Sequence, residues 1–155
     1  MTRIASRSEP RQRLPRIRDK AYLAYIAALG GEQGFGCVIC RGKPCEVAHV
    51  RFAEVCRACG GEGACWEANI PSCALCSGKG YRFGKRPTGM GEKPDDRWTV
   101  PLCPDCHRIG KSAQHNMNER LHWEAKGIDV LQLCWDLQQA YPSIEAGVEI
   151  LEKVR

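Results

Sequence analysis

Apolar positions along the chain mark two ordered flanks around a middle that is poor in burial. Ile17, Tyr22, Tyr25, Ile26 and Leu29 recur at helical spacing, and Gly30-Gly31 ends that run. Residues 46–51 (EVAHVR) and 98–102 (WTVPL) read as two short strands. Residues 113–126 predict a helix ended by Gly127. Another helix starts behind Asp129, a good N-cap, and runs to Ala140 before Pro142; Ser143 then caps a last helix through Val154. Residues 1–16 lack any such pattern and are expected to form a disordered arm.

The middle changes the picture. Most of the 16 Gly and 9 Pro fall between residues 30 and 101, so this stretch needs staples rather than a core. Eleven Cys supply them, and eight fall into four Cys-x-x-Cys pairs: Cys37/Cys40, Cys56/Cys59, Cys73/Cys76 and Cys103/Cys106. A CxxC turn aims two thiolates at one ion, and two turns complete a tetrahedral site, so four predict two structural zinc ions. The odd count fits a disulfide framework poorly. No apolar stretch of signal or membrane-span length occurs, and the start is basic and polar. Together these predict a cytoplasmic protein, in a reducing compartment and without a membrane partner. Cys45, Cys65 and Cys134 are left over and need no special role.

The net charge of +5 is concentrated in residues 1–20; the rest of the chain is neutral. A basic arm on a neutral body suits phosphate contact, and Arg11, Arg13, Arg16 and Arg18 are its candidate nucleic-acid-binding residues, with Arg108 and Lys111 beside the last CxxC. A merely solvated tail is the plainer alternative.

Hydrolysis of a phosphodiester needs a base near neutral pH and positive charge on the phosphate and leaving oxygen. His49, fixed in direction by its strand, is the candidate base, and Arg51 on the same strand face can steady the phosphate. His107, placed directly after Cys106, and His115 are candidate ligands of one catalytic divalent metal (Mg, Mn, Ni or Zn). For His107 the competing role is a zinc ligand, and for His49 a hairpin hydrogen bond. His115 does not stand at the i, i+4 spacing that puts two ligands on one helix face. His122 is set aside as a surface residue.

The order CVIC, EVAHVR, WTVPLCPDCHR, AQH resembles the zinc-bearing HNH (ββα-metal) nucleases. More narrowly, AHVR, GMGEKPDD, WTVPLCPDCH and AQHNMNE…W…GID resemble phage and prophage HNH nucleases of the recombination-enhancement type, over residues 18–52 and 88–140. The resemblance implies a DNA-cutting enzyme with a strand His as base and a metal held by the segment that follows. It also allows a recombination protein on DNA as partner. Ala48 departs from the family, many of whose members carry an acidic residue or a second His there. Asp95 and Asp96 stand nearest the family's loop-pinning Asn, and Asp96 is a further candidate metal ligand.

Two central octets, CRACGGEG and CALCSGKG, repeat as C-x-x-C-x-G-x-G and resemble half of the zinc domain of DnaJ-type chaperones. CxxC spacing permits two pairings. The nested one, Cys37/Cys40 with Cys103/Cys106 and Cys56/Cys59 with Cys73/Cys76, is favoured because the repeat is self-contained and the HNH likeness resumes on both sides. The expected fold is therefore α+β: a small zinc-stabilised ββα-metal core (17–52 and 89–140) with flanking helices, a zinc-knuckle insert (53–88) and a C-terminal helix (141–155). Arg57, Lys79, Arg82, Lys85 and Arg86 of the insert are available to extend a DNA surface. A non-catalytic zinc module that binds DNA or a recombination protein is the competing function.

Overall fold

The computed structural model describes residues 15–64, 72–88 and 91–154; Arg11, Arg13 and Cys65 lie outside these. Among the described residues the architecture is α+β, with four α-helices around one two-stranded sheet. Helix α1 (Lys20–Gly30) is capped by Asp19, whose side chain accepts from the Tyr22 N–H at 3.0 Å. Its buried face is Tyr22, Tyr25, Ile26 and Leu29, the apolar stripe seen in the sequence.

Strands β1 (Glu46–His49) and β2 (Thr99–Leu102) pair antiparallel, in a register that sets His49 opposite Thr99 and Glu46 opposite Leu102. β1 is shorter than the expected 46–51. The Val50 N–H still reaches Trp98 O at 2.8 Å, but the next two amides, of Arg51 and Phe52, leave the sheet for the carboxylate of Glu119 at 2.9–3.2 Å. A side-chain acceptor thus replaces a strand partner, and the chain turns away.

From Asp105, through Cys106, the chain makes a π turn (Asp105–Ile109), then a 3₁₀ turn (Gln114–Asn116) and helix α2 (Glu119–Ala125). The single helix expected over 113–126 is split because Met117 is extended and Asn118 caps α2, accepting from the Leu121 N–H at 3.2 Å. His122, expected at the surface, is 1% exposed and packs edge-on against Trp123, with ring centroids 5.1 Å apart. Helices α3 (Val130–Ala140) and α4 (Ile144–Lys153) follow, capped by Asp129 and Ser143 as expected. Leu133, Leu137 and Leu151 join Ile26, Leu29, Val100 and Leu102 in one core, so α4 belongs to the main packing unit. α4 approaches α1 closely enough that a Cβ on Gly147 would lie 2.4 Å from the Tyr25 hydroxyl; only glycine fits there.

The insert leaves and rejoins this body at adjacent points. Val55 bridges Tyr81, and the Arg82 N–H donates to Glu54 O at 2.8 Å. It is also bolted down. Phe83 stacks on Trp135 of α3, with centroids 5.0 Å apart and planes 8° from parallel. The Arg82 guanidinium grips Asp129 at 2.7 and 3.0 Å and Glu54 at 3.1 Å. Lys85 is 2% exposed and donates to Arg51 O at 3.0 Å. Arg82 and Lys85 are therefore structural, not the free cations that a DNA surface would require.

Burial pushes the Lys85 ammonium down to about 8. Folding at neutral pH thus carries a penalty on the order of 3 kcal/mol, which fades as pH rises from 8 towards the unfolded-state value near 10.5. Arg51 O also accepts from Thr88 Oγ1 at 3.1 Å, so it keeps a donor without the lysine. Lys85→Met is accordingly expected to be at least as stable as the parent at pH 7, and the gap should shrink by about half by pH 9.5. Urea unfolding at both pH values checks this. A gap independent of pH would show that the lysine is not desolvated as described.

Candidate metal centres and catalytic site

The nested pairing is what folding produces. Cys37, Cys40, Cys103 and Cys106 form one group and Cys56, Cys59, Cys73 and Cys76 the other, each with its sulfurs within 4.8 Å of one another. In the first, Cys40 Sγ lies 3.4 Å from Cys103 Sγ and 3.6 Å from Cys106 Sγ; in the second, Cys56–Cys73 and Cys59–Cys76 are 3.9 and 3.7 Å apart. Four thiolates at about 2.3 Å from a tetrahedral zinc are separated by about 3.8 Å, whereas a disulfide closes to about 2.05 Å. The spacing fits two structural zinc ions and excludes disulfides within either group.

The insert's site is built from its repeat. The Cys56 N–H donates to Gly80 O at 2.9 Å, and in mirror fashion the Cys73 N–H donates to Gly63 O at 2.7 Å. The last glycine of each octet also turns its N–H onto a sulfur: Gly63 to Cys59 and Gly80 to Cys76, both at 3.3 Å. A Cβ on Gly63 would strike Gly78 O at 2.3 Å, and one on Gly80 would strike Gly61 O at 2.2 Å. Positive φ at both positions adds a second reason for glycine. The C-x-x-C-x-G-x-G pattern thus encodes both the ligands and the N–H donors that point at their sulfurs.

His49 sits at the end of β1 with Nε2 3.3 Å from Asp96 Oδ1 and 3.3 Å from Arg16 Nη2. Arg16 also ion-pairs with Asp96 Oδ1, while Oδ2 accepts from the Asp19 N–H at 3.0 Å. Asp96 is 3% exposed. Burial alone would raise its carboxyl, but the Asp19 amide, Arg16 and His49 outweigh that and hold it below its ordinary value. Burial lowers the His49 imidazole, against an opposing pull from Asp96. The imidazole is therefore neutral at pH 7. In the tautomer protonated at Nε2 it donates to Asp96 and leaves the Nδ1 lone pair open.

A second cluster forms at the other end of β1. His107 Nδ1 is 2.7 Å from Glu46 Oε2, and the Arg108 guanidinium pairs with the same carboxylate. Arg108 first and His107 next hold the Glu46 carboxyl below its usual range. The rings of His107 and His115 meet edge to face at 4.4 Å, and burial, then His107 and Arg51, lower the His115 imidazole. The turn before α2 ties the clusters to one strand edge, because Gln114 Nε2 donates to His49 O at 2.9 Å.

Of the expected ligands, His107 and His115 come together and Asp96 does not join them; both its oxygens are spent on Arg16, His49 and Asp19. Among the described residues only the two Cys₄ groups bring three or more metal-binding side chains within 4.8 Å. No hydrogen bond or ring contact joins the imidazoles of His49 and His107. Arg108, expected on DNA, is committed to Glu46. Arg51, Arg18 and Lys111 stand exposed. Arg16 was expected in a disordered arm and is instead fixed beside His49. Sequence reasoning missed Glu46, Gln114 and Glu119 as members of the site; only the adjacency of Gln114 to His115 hinted at one of them.

Fold and sites define an α+β protein with two Cys₄ groups suited to zinc and a hairpin histidine held by an aspartate. Comparison with protein-family models, with curated proteins and with solved structures finds no match. No helix among the described residues is long and apolar enough to cross a membrane.

Proposed function

We propose that the protein is a metal-dependent DNA endonuclease or nickase of the HNH type, with His49 as general base. The observation that carries this reading is the His49–Asp96 pair: a neutral imidazole on a strand, turned by a buried carboxylate so that one nitrogen stays open. Water attacks phosphorus, its proton passes to His49 Nδ1, and the bond to the leaving sugar oxygen breaks. That oxygen takes up a proton, leaving one hydroxyl end and one phosphomonoester end.

His107 and His115, with solvent completing the shell, would hold a divalent ion. Glu46 on Nδ1 of His107 is the usual outer partner of a metal-bound imidazole. When bound, such an ion supplies positive charge at the phosphate and leaving oxygens. The resemblance to recombination-enhancement nucleases supports a cytoplasmic role in phage or prophage recombination, alongside a recombination protein on DNA.

One observation favours a second reading, a non-catalytic zinc module that binds DNA or protein: among the described residues no third metal-binding side chain groups within 4.8 Å of both histidines, and Ala48 supplies none. Incubating the protein with supercoiled plasmid and Mg²⁺, Mn²⁺, Ni²⁺ or Zn²⁺ decides between them. Nicked or linear product with at least one ion is expected. Intact plasmid with all four favours the module.

A further inference from the structure

We propose that Arg16, clamped by the buried Asp96 carboxylate, is the phosphate-binding cation of the His49 site, with the scissile phosphate seated on the open part of its guanidinium. This rests on the nuclease reading and names the residue that holds the substrate's reacting group.

Three observations support it. First, Arg16 is fixed by its neighbours. The Ile17 N–H donates to Asp95 Oδ1 at 2.7 Å, the Asp96 N–H donates to Ile17 O at 3.1 Å, and the Asp19 N–H donates to Asp96 Oδ2 at 3.0 Å. Second, the guanidinium is only partly used. Nη2 serves Asp96 and stands beside His49, while among the described residues no hydrogen bond engages Nη1. The outer edge of the guanidinium is thus left for an acceptor, and a phosphate oxygen is the acceptor that this chemistry offers. The side chain is 24% exposed, so the group is reachable from solvent.

Third, placement matches the reaction. A cation 3.3 Å from the base lies where the phosphate gains charge as water attacks. Guanidinium, planar and multidentate, suits two phosphate oxygens better than ammonium does. Asp96 acts as a positioning residue for both partners, orienting His49 and holding Arg16.

The test uses the full-length protein and single-turnover plasmid cleavage at saturating DNA, with binding measured across a salt series. Arg16→Ala should slow cleavage about 100- to 1000-fold, while the slope of log affinity against log salt falls by no more than about one. Arg16→Lys should recover little of the rate. Because Arg16→Ala strands a buried carboxylate, the double variant R16A/D96N is compared with D96N alone, and it should be slower than D96N by about 10-fold or more.

Parental rates at saturation in a folded Arg16 variant, with His49→Ala inactive, would overturn the proposal and leave the nuclease reading standing. Should the parent cleave nothing, inorganic phosphate titrated against the His49 ring resonances decides. Shifts that persist in D96N and vanish in R16A/D96N support the phosphate site; resonances unmoved in the parent, or moved equally in both variants, overturn it.

Discussion

Cys103→Ala is expected to unfold the body of the protein, whereas Cys73→Ala should remove one zinc and leave that body folded. Cys103 directly follows β2, and its site joins the CVIC knuckle behind α1 to the knuckle that launches the π turn. Structural zinc contributes about 10–16 kcal/mol of apparent binding energy. A domain of this kind has only about 5–15 kcal/mol of net stability. Losing the core ion therefore exceeds what the hydrophobic core can hold alone. The insert is a different case. Its ion organises two octets, while Phe83, Arg82 and Lys85 anchor the returning strand by contacts that need no metal. Native mass spectrometry should count two zinc ions in the parent and one in Cys73→Ala, whose far-ultraviolet spectrum should keep its helical signal. A Cys103→Ala variant that melts at the parental temperature would contradict the assignment of roles.

His49→Ala is expected to abolish cleavage, by about 100- to 10,000-fold, with DNA affinity nearly unchanged. The pH dependence carries the sharper signature. Burial lowers the imidazole from its ordinary value. The active, deprotonated form is therefore already dominant at neutral pH and is lost only on acidification below the usual histidine range. Parental cleavage should be flat across neutral pH and fall on the acid side. Asp96 pulls that titration upward, so Asp96→Asn should move the acid limb to still lower pH. It should also reduce the plateau, because the asparagine no longer enforces the Nε2–H tautomer. An acid limb above pH 7 in the parent would remove His49 from the role of base.

Local signals were legible in the sequence and long-range ones were not. Asp129 and Ser143 stand as helix caps, as read from the sequence, because capping depends on a few neighbouring residues. The Cys₄ pairing was legible because the central octets match each other and must close on themselves. Asn118 broke the helix expected over 113–126 through that same local chemistry, which the apolar spacing outweighed. His122, Lys85 and Arg16 escaped for another reason. Their surroundings come from elements far away in the chain, and a polar side chain gives no sign of which distant group will meet it. Asp96 shows the limit best: its acidity suggested a metal ligand, yet folding surrounded it with donors that leave no lone pair aimed at the histidine pair.

The two thiolate groups differ in how much chain each encloses. Cys40 and Cys103 are 63 residues apart, and Cys56 and Cys73 only 17. Closing the longer loop costs about 1 kcal/mol more in chain entropy. During synthesis the inner pair also emerges complete before Cys103 and Cys106 exist. Zinc is thus captured from the inside outward. By shortening the slack between β1 and β2, the inner knot reduces the search that the outer one must complete.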